Sequence, residues 1–64
     1  MSEELTFYEL EVLGWHRSQP RKESDERDRK ETQNMLAGLH YLTRSEQGVF
    51  SITTKGLKRL GGRN

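Results

Sequence analysis

The spacing of apolar residues predicts an amphipathic helix near the start of the chain. Thr6 and Glu9 have capping-box spacing, in which the threonine hydroxyl accepts a backbone N–H three residues on and the glutamate reaches back. We expect this helix to span residues 7–17 and to end before Pro20, which lacks the N–H that a helix needs. Its apolar residues form two stripes, with Phe7, Leu10 and Leu13 on one side and Tyr8, Val12 and Trp15 on the other.

The second apolar stripe indicates that this helix is covered on two sides, since an ordinary surface helix has one such stripe. A chain of 64 residues can hardly surround its own helix. Tyr8, Val12 and Trp15 therefore predict a homodimer interface. The alternative is that Tyr8 and Trp15 lie over the loop that follows the helix.

The middle of the chain is polar. Residues 16–24 include the only proline and predict a connecting loop. Ser24 is a favourable N-cap, and we expect a long second helix over residues 25–39.

The first ten residues of this second helix, 25–34, include no apolar side chain. We expect them to extend into solvent, supported by i,i+4 ion pairs such as Asp25–Arg29 and Glu26–Lys30. The apolar residues that dock the helix come later, and Gly38 among them suggests a close approach of neighbouring backbone. They are Met35, Leu36, Leu39 and Leu42.

After residue 40 the pattern predicts a β-hairpin of roughly 41–44 against 49–53, with a turn over 45–48. Thr53 or Thr54 then caps a short helix, and Gly61–Gly62 ends it, leaving a frayed tail over 61–64. In that helix, over residues 55–60, we expect Leu57 and Leu60 to face inward. The whole chain, 1–64, is thus predicted to be one α+β domain.

Composition narrows the function classes. The chain is 30% hydrophobic and 33% charged, has no cysteine, and has no apolar run of the roughly 20 residues that cross a bilayer. His16 and His40 lie far apart in the sequence and no nucleophile or phosphate loop accompanies them, so we expect a surface His16, no metal, no cofactor and no enzymatic activity. A cytoplasmic binding protein without a membrane partner is the default expectation.

Charge is distributed unevenly along the chain. The net charge is −4 over residues 1–15, +1 over 16–43 and +4 over 44–64. A basic C-terminal third indicates an anionic partner. The alternative is that the acidic and basic ends attract each other.

The sequence from Met35 to Arg44 resembles the end of a recognition helix that enters a wing strand. The sequence from Phe50 to Leu57 resembles the aromatic-x-aliphatic-Thr-x-Lys-Gly pattern that closes the wing in MarR- and PadR-like regulators. Together these segments resemble the winged helix-turn-helix family, and residues 5–15 more weakly resemble the first helix of LuxR-type regulators. Because residues 16–34 contain no large apolar residue, the second helix of such a fold is missing or reduced to a polar turn.

The resemblance implies a small winged-helix-like domain that binds duplex DNA as a homodimer and regulates transcription in a bacterium or phage. Its recognition helix offers Arg27, Lys30, Gln33 and Asn34 as residues that read bases, unless that helix is merely solvated. Its wing and last helix offer Arg44, Lys55, Lys58 and Arg59 for phosphates, unless these serve only solubility. The alternative function is a small modulator that docks on a larger host protein.

Overall fold

A computed structural model of the protein describes residues 4–61 and confirms the α+β class. Its three strands form one antiparallel sheet in the order β1-β3-β2. The elements are α1 (Phe7–Trp15), β1 (Arg21–Lys22), α2 (Arg27–Gly38), β2 (Leu42–Arg44), β3 (Val49–Ile52) and α3 (Thr54–Arg59). Within the described residues no helix is long and apolar enough to cross a membrane.

The predicted ends of the first and last helices are largely confirmed. The Thr6 hydroxyl accepts from the Glu9 N–H at 3.2 Å and the Glu9 carboxylate accepts from the Thr6 N–H at 2.8 Å. The Thr53 hydroxyl accepts from the Gly56 N–H at 3.1 Å and so caps α3. Gly61 follows that helix with a φ of 90°, a conformation that favours glycine. The rest of the predicted frayed tail lies outside the described residues.

The β2–β3 hairpin is confirmed almost residue for residue. Leu42 pairs with Ile52 and Arg44 pairs with Phe50. Gly48 closes the turn with a φ of 78°, which explains a glycine there. Alternation along these strands directs Phe50 into the core.

The core lies between α1, α2 and the sheet. Its buried hydrophobic residues are Val12, Leu13, Leu36, Tyr41, Leu42 and Phe50. The prediction that Leu57 faces inward is wrong, because Gly56 and Leu60 occupy the inner side of this short helix and Leu57 is 41% exposed.

The predicted loop over 16–24 is partly wrong, since it contains the short strand β1. Arg21 pairs with Phe50 and Lys22 pairs with Val49. α2 then begins two residues later than predicted, because the Ser24 hydroxyl accepts from the Glu26 N–H at 3.0 Å and closes a local turn instead of capping the helix.

Most of residues 25–34 are exposed as predicted, but Arg29 and Gln33 contact the rest of the fold. Gln33 is fully buried, and the Arg29 guanidinium lies 4.8 Å from the centroid of the Trp15 ring. The expected i,i+4 ion pairs are replaced by an Arg27–Glu31 pair at 3.6 Å and a Glu26–Arg29 pair at 3.4 Å. This half of α2 is thus attached to the rest of the fold through polar side chains.

Close backbone packing occurs at Gly56 and not at Gly38, where it was predicted. Nothing lies within 4 Å of the position a Cβ would take at Gly38. At Gly56 a Cβ would overlap the Tyr41 carbonyl oxygen and lie 2.8 Å from Ile52 Cγ1. The approach of α3 to the chain at Tyr41 therefore requires a glycine.

Gly56→Ala is expected to lower the free energy of unfolding by about 1–3 kcal/mol, because the added methyl group forces α3 away from Tyr41. Gly38→Ala is the matched control and is expected to raise it by up to about 1 kcal/mol, since alanine favours the helix. Urea denaturation measures both changes. Equal effects of the two substitutions would contradict this account of the packing.

Candidate functional site

A buried polar network joins α1 to α2 and β1. His16 and Gln33 are 1% and 0% exposed, and His16 Nε2 lies 3.0 Å from Gln33 Nε2. Gln33 Nε2 also donates to the Lys22 carbonyl at 3.2 Å, and Gln33 Oε1 accepts from the Ser24 N–H at 2.8 Å. The prediction that His16 is a surface residue is therefore wrong.

The partners of His16 determine its tautomer. Nδ1 lies 2.8 Å from the Val12 carbonyl oxygen, which can only accept, so Nδ1 must carry a proton. Nε2 faces an amide nitrogen that donates, so in the neutral ring Nε2 accepts. The ring and the glutamine amide thus complement each other only while His16 is uncharged.

Burial lowers the pKa of His16 below its usual value of 6.5. The hydrogen bond to Val12 works in the opposite direction, and the positive charge of Arg21 lowers the pKa further.

Several of the basic and amide side chains of α2 have partners within the protein. Gln33 is buried, which contradicts the expectation that it is exposed to read bases. Asn34 Nδ2 donates to Glu23 at 2.9 Å and to the Lys30 carbonyl at 2.9 Å. Arg27 is paired with Glu31 at 3.6 Å, but its side chain is exposed, and so is that of Lys30.

The four basic residues predicted to contact phosphates lie on the hairpin and α3. Arg44, Lys55 and Lys58 are exposed, and Arg59 is half-buried. Lys55 is also held in place, because its Nζ donates to the Leu39 carbonyl at 2.9 Å and lies 4.8 Å from the Tyr41 ring centroid.

The three residues predicted to form a dimer interface separate into different environments. Val12 is 4% exposed and belongs to the core of its own chain. Trp15 does lie against the segment that follows α1, since the Arg21 guanidinium is 4.5 Å from its ring centroid and Arg21 Nε donates to the Trp15 carbonyl. Tyr8 is 40% exposed.

A helix-turn-helix is absent from residues 4–61. That unit joins two helices by a turn of three or four residues. Here α1 and α2 are separated by eleven residues, 16–26, which include β1. The same described residues contain no cluster of three histidine or acidic side chains that could hold a metal ion.

Comparison with known proteins gives no match for this chain among family models, curated proteins or solved structures.

Sequence reasoning missed the structural roles of His16, Gln33 and Arg21. Their residue types are usually exposed, and their spacing gives no apolar periodicity. The only indication of these roles in the sequence is the run of 19 residues, 16–34, that has no large apolar side chain. Such a segment must be attached through polar contacts or remain detached.

The lowered pKa of His16 predicts that stability falls on mild acidification. The unfolded chain binds a proton near pH 6.5 while the folded chain resists it, so unfolding becomes easier as the pH drops below about 7. The slope from this group is at most about 1.4 kcal/mol per pH unit and ends at the folded-state pKa. Urea denaturation between about pH 7.5 and 5.5 measures it.

His40→Asn provides the control, because His40 is exposed with a φ of 71°, a conformation that asparagine tolerates. This variant is expected to retain the pH dependence. If His40→Asn instead lost the pH dependence of stability, that dependence would come from His40 and not from His16.

Proposed function

We propose that this protein binds duplex DNA through the phosphate backbone and acts as a small regulator of transcription. The observation that carries the proposal is a basic surface on the hairpin and α3 that acids do not neutralise. Residues 39–61 contain four Lys or Arg residues and a single acid, Glu46. Arg44, Lys58 and Arg59 have no ion-pair partner within the described chain.

The helical spacing of α3 places its three basic side chains on one side. Lys55, Lys58 and Arg59 are related as i, i+3 and i+4, which are neighbouring positions on a helix surface. Gly56 lies on a neighbouring side of the helix and packs against Tyr41. A row of cations on one face suits a line of phosphates, where each neutralised phosphate releases counterions.

The contact of Lys55 with Leu39 supports the same use. The Lys55 ammonium has three donor hydrogens, and the Leu39 carbonyl oxygen accepts one of them. The side chain is therefore held in place near the end of α2. A fixed side chain loses less conformational entropy on binding than a mobile one.

The engagement of α2 argues against base reading by this helix. Gln33 and Asn34 already have partners within the protein, and Asp28 and Glu31 are exposed acids that repel phosphate. We therefore propose phosphate contacts with little preference for sequence, in place of a recognition helix in the major groove.

Docking on a host protein is the second candidate, and the exposed acids around the start of α2 favour it. Glu26 and Glu31 pair with Arg29 and Arg27, but Asp25 and Asp28 are exposed acids without an ion-pair partner among residues 4–61 and suit a basic protein surface. Charge reversal at Asp28 would abolish such an interaction and leave DNA binding intact or strengthened.

Fluorescence anisotropy with a labelled duplex tests the DNA proposal. Four phosphate contacts predict a slope of about −4 for log affinity against log salt, equivalent to an affinity loss on the order of 100-fold between about 50 and 200 mM salt. Lys58→Ala and Arg59→Ala should each flatten the slope by about one, equally on unrelated sequences.

Lys30→Ala is the matched control, because it removes the same charge from an exposed position on α2. This variant should leave the salt slope near that of the wild type. An equal change in Lys30→Ala would place the contact surface elsewhere, and an absence of binding at about 50 mM salt would refute the proposal.

A further inference from the structure

Three aromatic side chains surround one carboxylate on the outer face of α1. Phe7, Tyr8 and Trp15 stand four, three and four positions from Glu11, so all three are its neighbours on the helix surface. Phe7 is 80% exposed and Tyr8 is 40% exposed. Tyr8, Glu11, Trp15 and Arg29, with Val12 beneath them, line a groove of about 350 Å³ that we term the α1 groove.

The composition of this surface is that of a protein contact. Aromatic residues and arginine are enriched in interfaces and account for much of their binding energy. The chain has five aromatic residues in all, and the other two, Tyr41 and Phe50, are buried in the core. Every remaining aromatic side chain thus lies on α1 at or beside the α1 groove.

The two charges of the α1 groove are opposite and do not pair with each other. Glu11 is exposed, and its side chain has no hydrogen bond or ion pair within the described residues. Arg29 contacts Glu26 at 3.4 Å and the Trp15 ring, but not Glu11. One surface therefore presents a carboxylate and a guanidinium that are both oriented toward a common groove without satisfying each other.

We propose that a second copy of this chain occupies the α1 groove in a two-fold symmetric dimer. A two-fold axis places residue i of one copy against residue j of the other, and j against i. Glu11 of each copy then faces Arg29 of the other, which forms two ion pairs while the aromatic side chains cover one another. The net charge of +1 opposes this association only weakly.

Self-complementarity selects a second copy over other occupants. A nucleic acid would meet the Glu11 carboxylate, whereas a second copy supplies a cation to Glu11 and an anion to Arg29 at once. This inference does not rest on the proposed DNA binding, since the basic surface of α3 and the hairpin contributes no residue to the groove.

Sedimentation equilibrium of the full chain tests the dimer. A small contact of this kind predicts a dissociation constant on the order of 10–100 µM. The average mass should therefore rise from monomer toward dimer as the concentration increases from about 5 to about 500 µM. A monomer throughout this range overturns the proposal.

Charge-reversed variants locate the contact. Glu11→Arg should weaken the dimer at least about tenfold, because it sets two cations against each other in each half of the interface. Glu46→Arg makes the same substitution at an exposed position in the hairpin turn and should leave the dissociation constant unchanged. Equal effects of these two substitutions overturn the proposal.

The double variant Glu11→Arg/Arg29→Glu should restore association relative to Glu11→Arg, since the reciprocal pairs are re-formed with reversed signs. Circular dichroism verifies that each variant is folded. Failure of a folded double variant to recover overturns the assigned pairing. If the double variant unfolds, the comparison of Glu11→Arg with Glu46→Arg tests whether Glu11 lies in the dimer contact.

Discussion

The fold depends on a hydrogen-bonded pair, His16 and Gln33. This pair holds residues 16–34 against the core. Residues 16–34 contain no large apolar side chain, so burial of apolar surface cannot hold this segment against the core. The pair instead joins the Val12 carbonyl on α1, the Lys22 carbonyl on β1 and the Ser24 N–H before α2. No buried side-chain nitrogen or oxygen among residues 4–61 lacks a partner, so the low dielectric of the interior strengthens this network instead of penalising it.

The hydrogen bonds of Gln33 also limit what α2 can bind. Gln33 holds the segment from Lys22 to Ser24 and cannot also read a base, while Asn34 is bound to Glu23. Two of the four α2 side chains predicted to read bases are thus engaged within the protein, although the end of α2 resembles that of a recognition helix. The cations that remain available are on the hairpin and α3, and the aromatic side chains that remain available are on α1. We accordingly propose phosphate binding on one surface and self-association on another, so that each activity can be altered without changing the other.

The parts of the fold that follow from local chemistry could be predicted, and the parts that follow from tertiary contacts could not. The Thr6 and Thr53 caps and the hairpin turn at Gly48 depend on neighbouring residues. The sequence predicted the Thr6 cap and the turn, and it left the last cap open between Thr53 and Thr54. Strand β1 has two residues and exists because β3 offers a partner, which no local pattern indicates. Of the candidate site, the exposed bases of the hairpin and α3 follow from charge patterning. The burial of Gln33 does not, because a polar residue among charged ones is indistinguishable from a surface residue.

The tautomer and charge of His16 test the central claim directly, since the network requires a neutral ring with its proton on Nδ1. Long-range proton–nitrogen correlation NMR at pH 7 distinguishes the two ring nitrogens by their chemical shifts. We expect a protonated Nδ1 and an unprotonated Nε2 that accepts from the Gln33 amide. A proton on Nε2, or a charged ring at that pH, would show that His16 and Gln33 do not form the pair on which the fold depends.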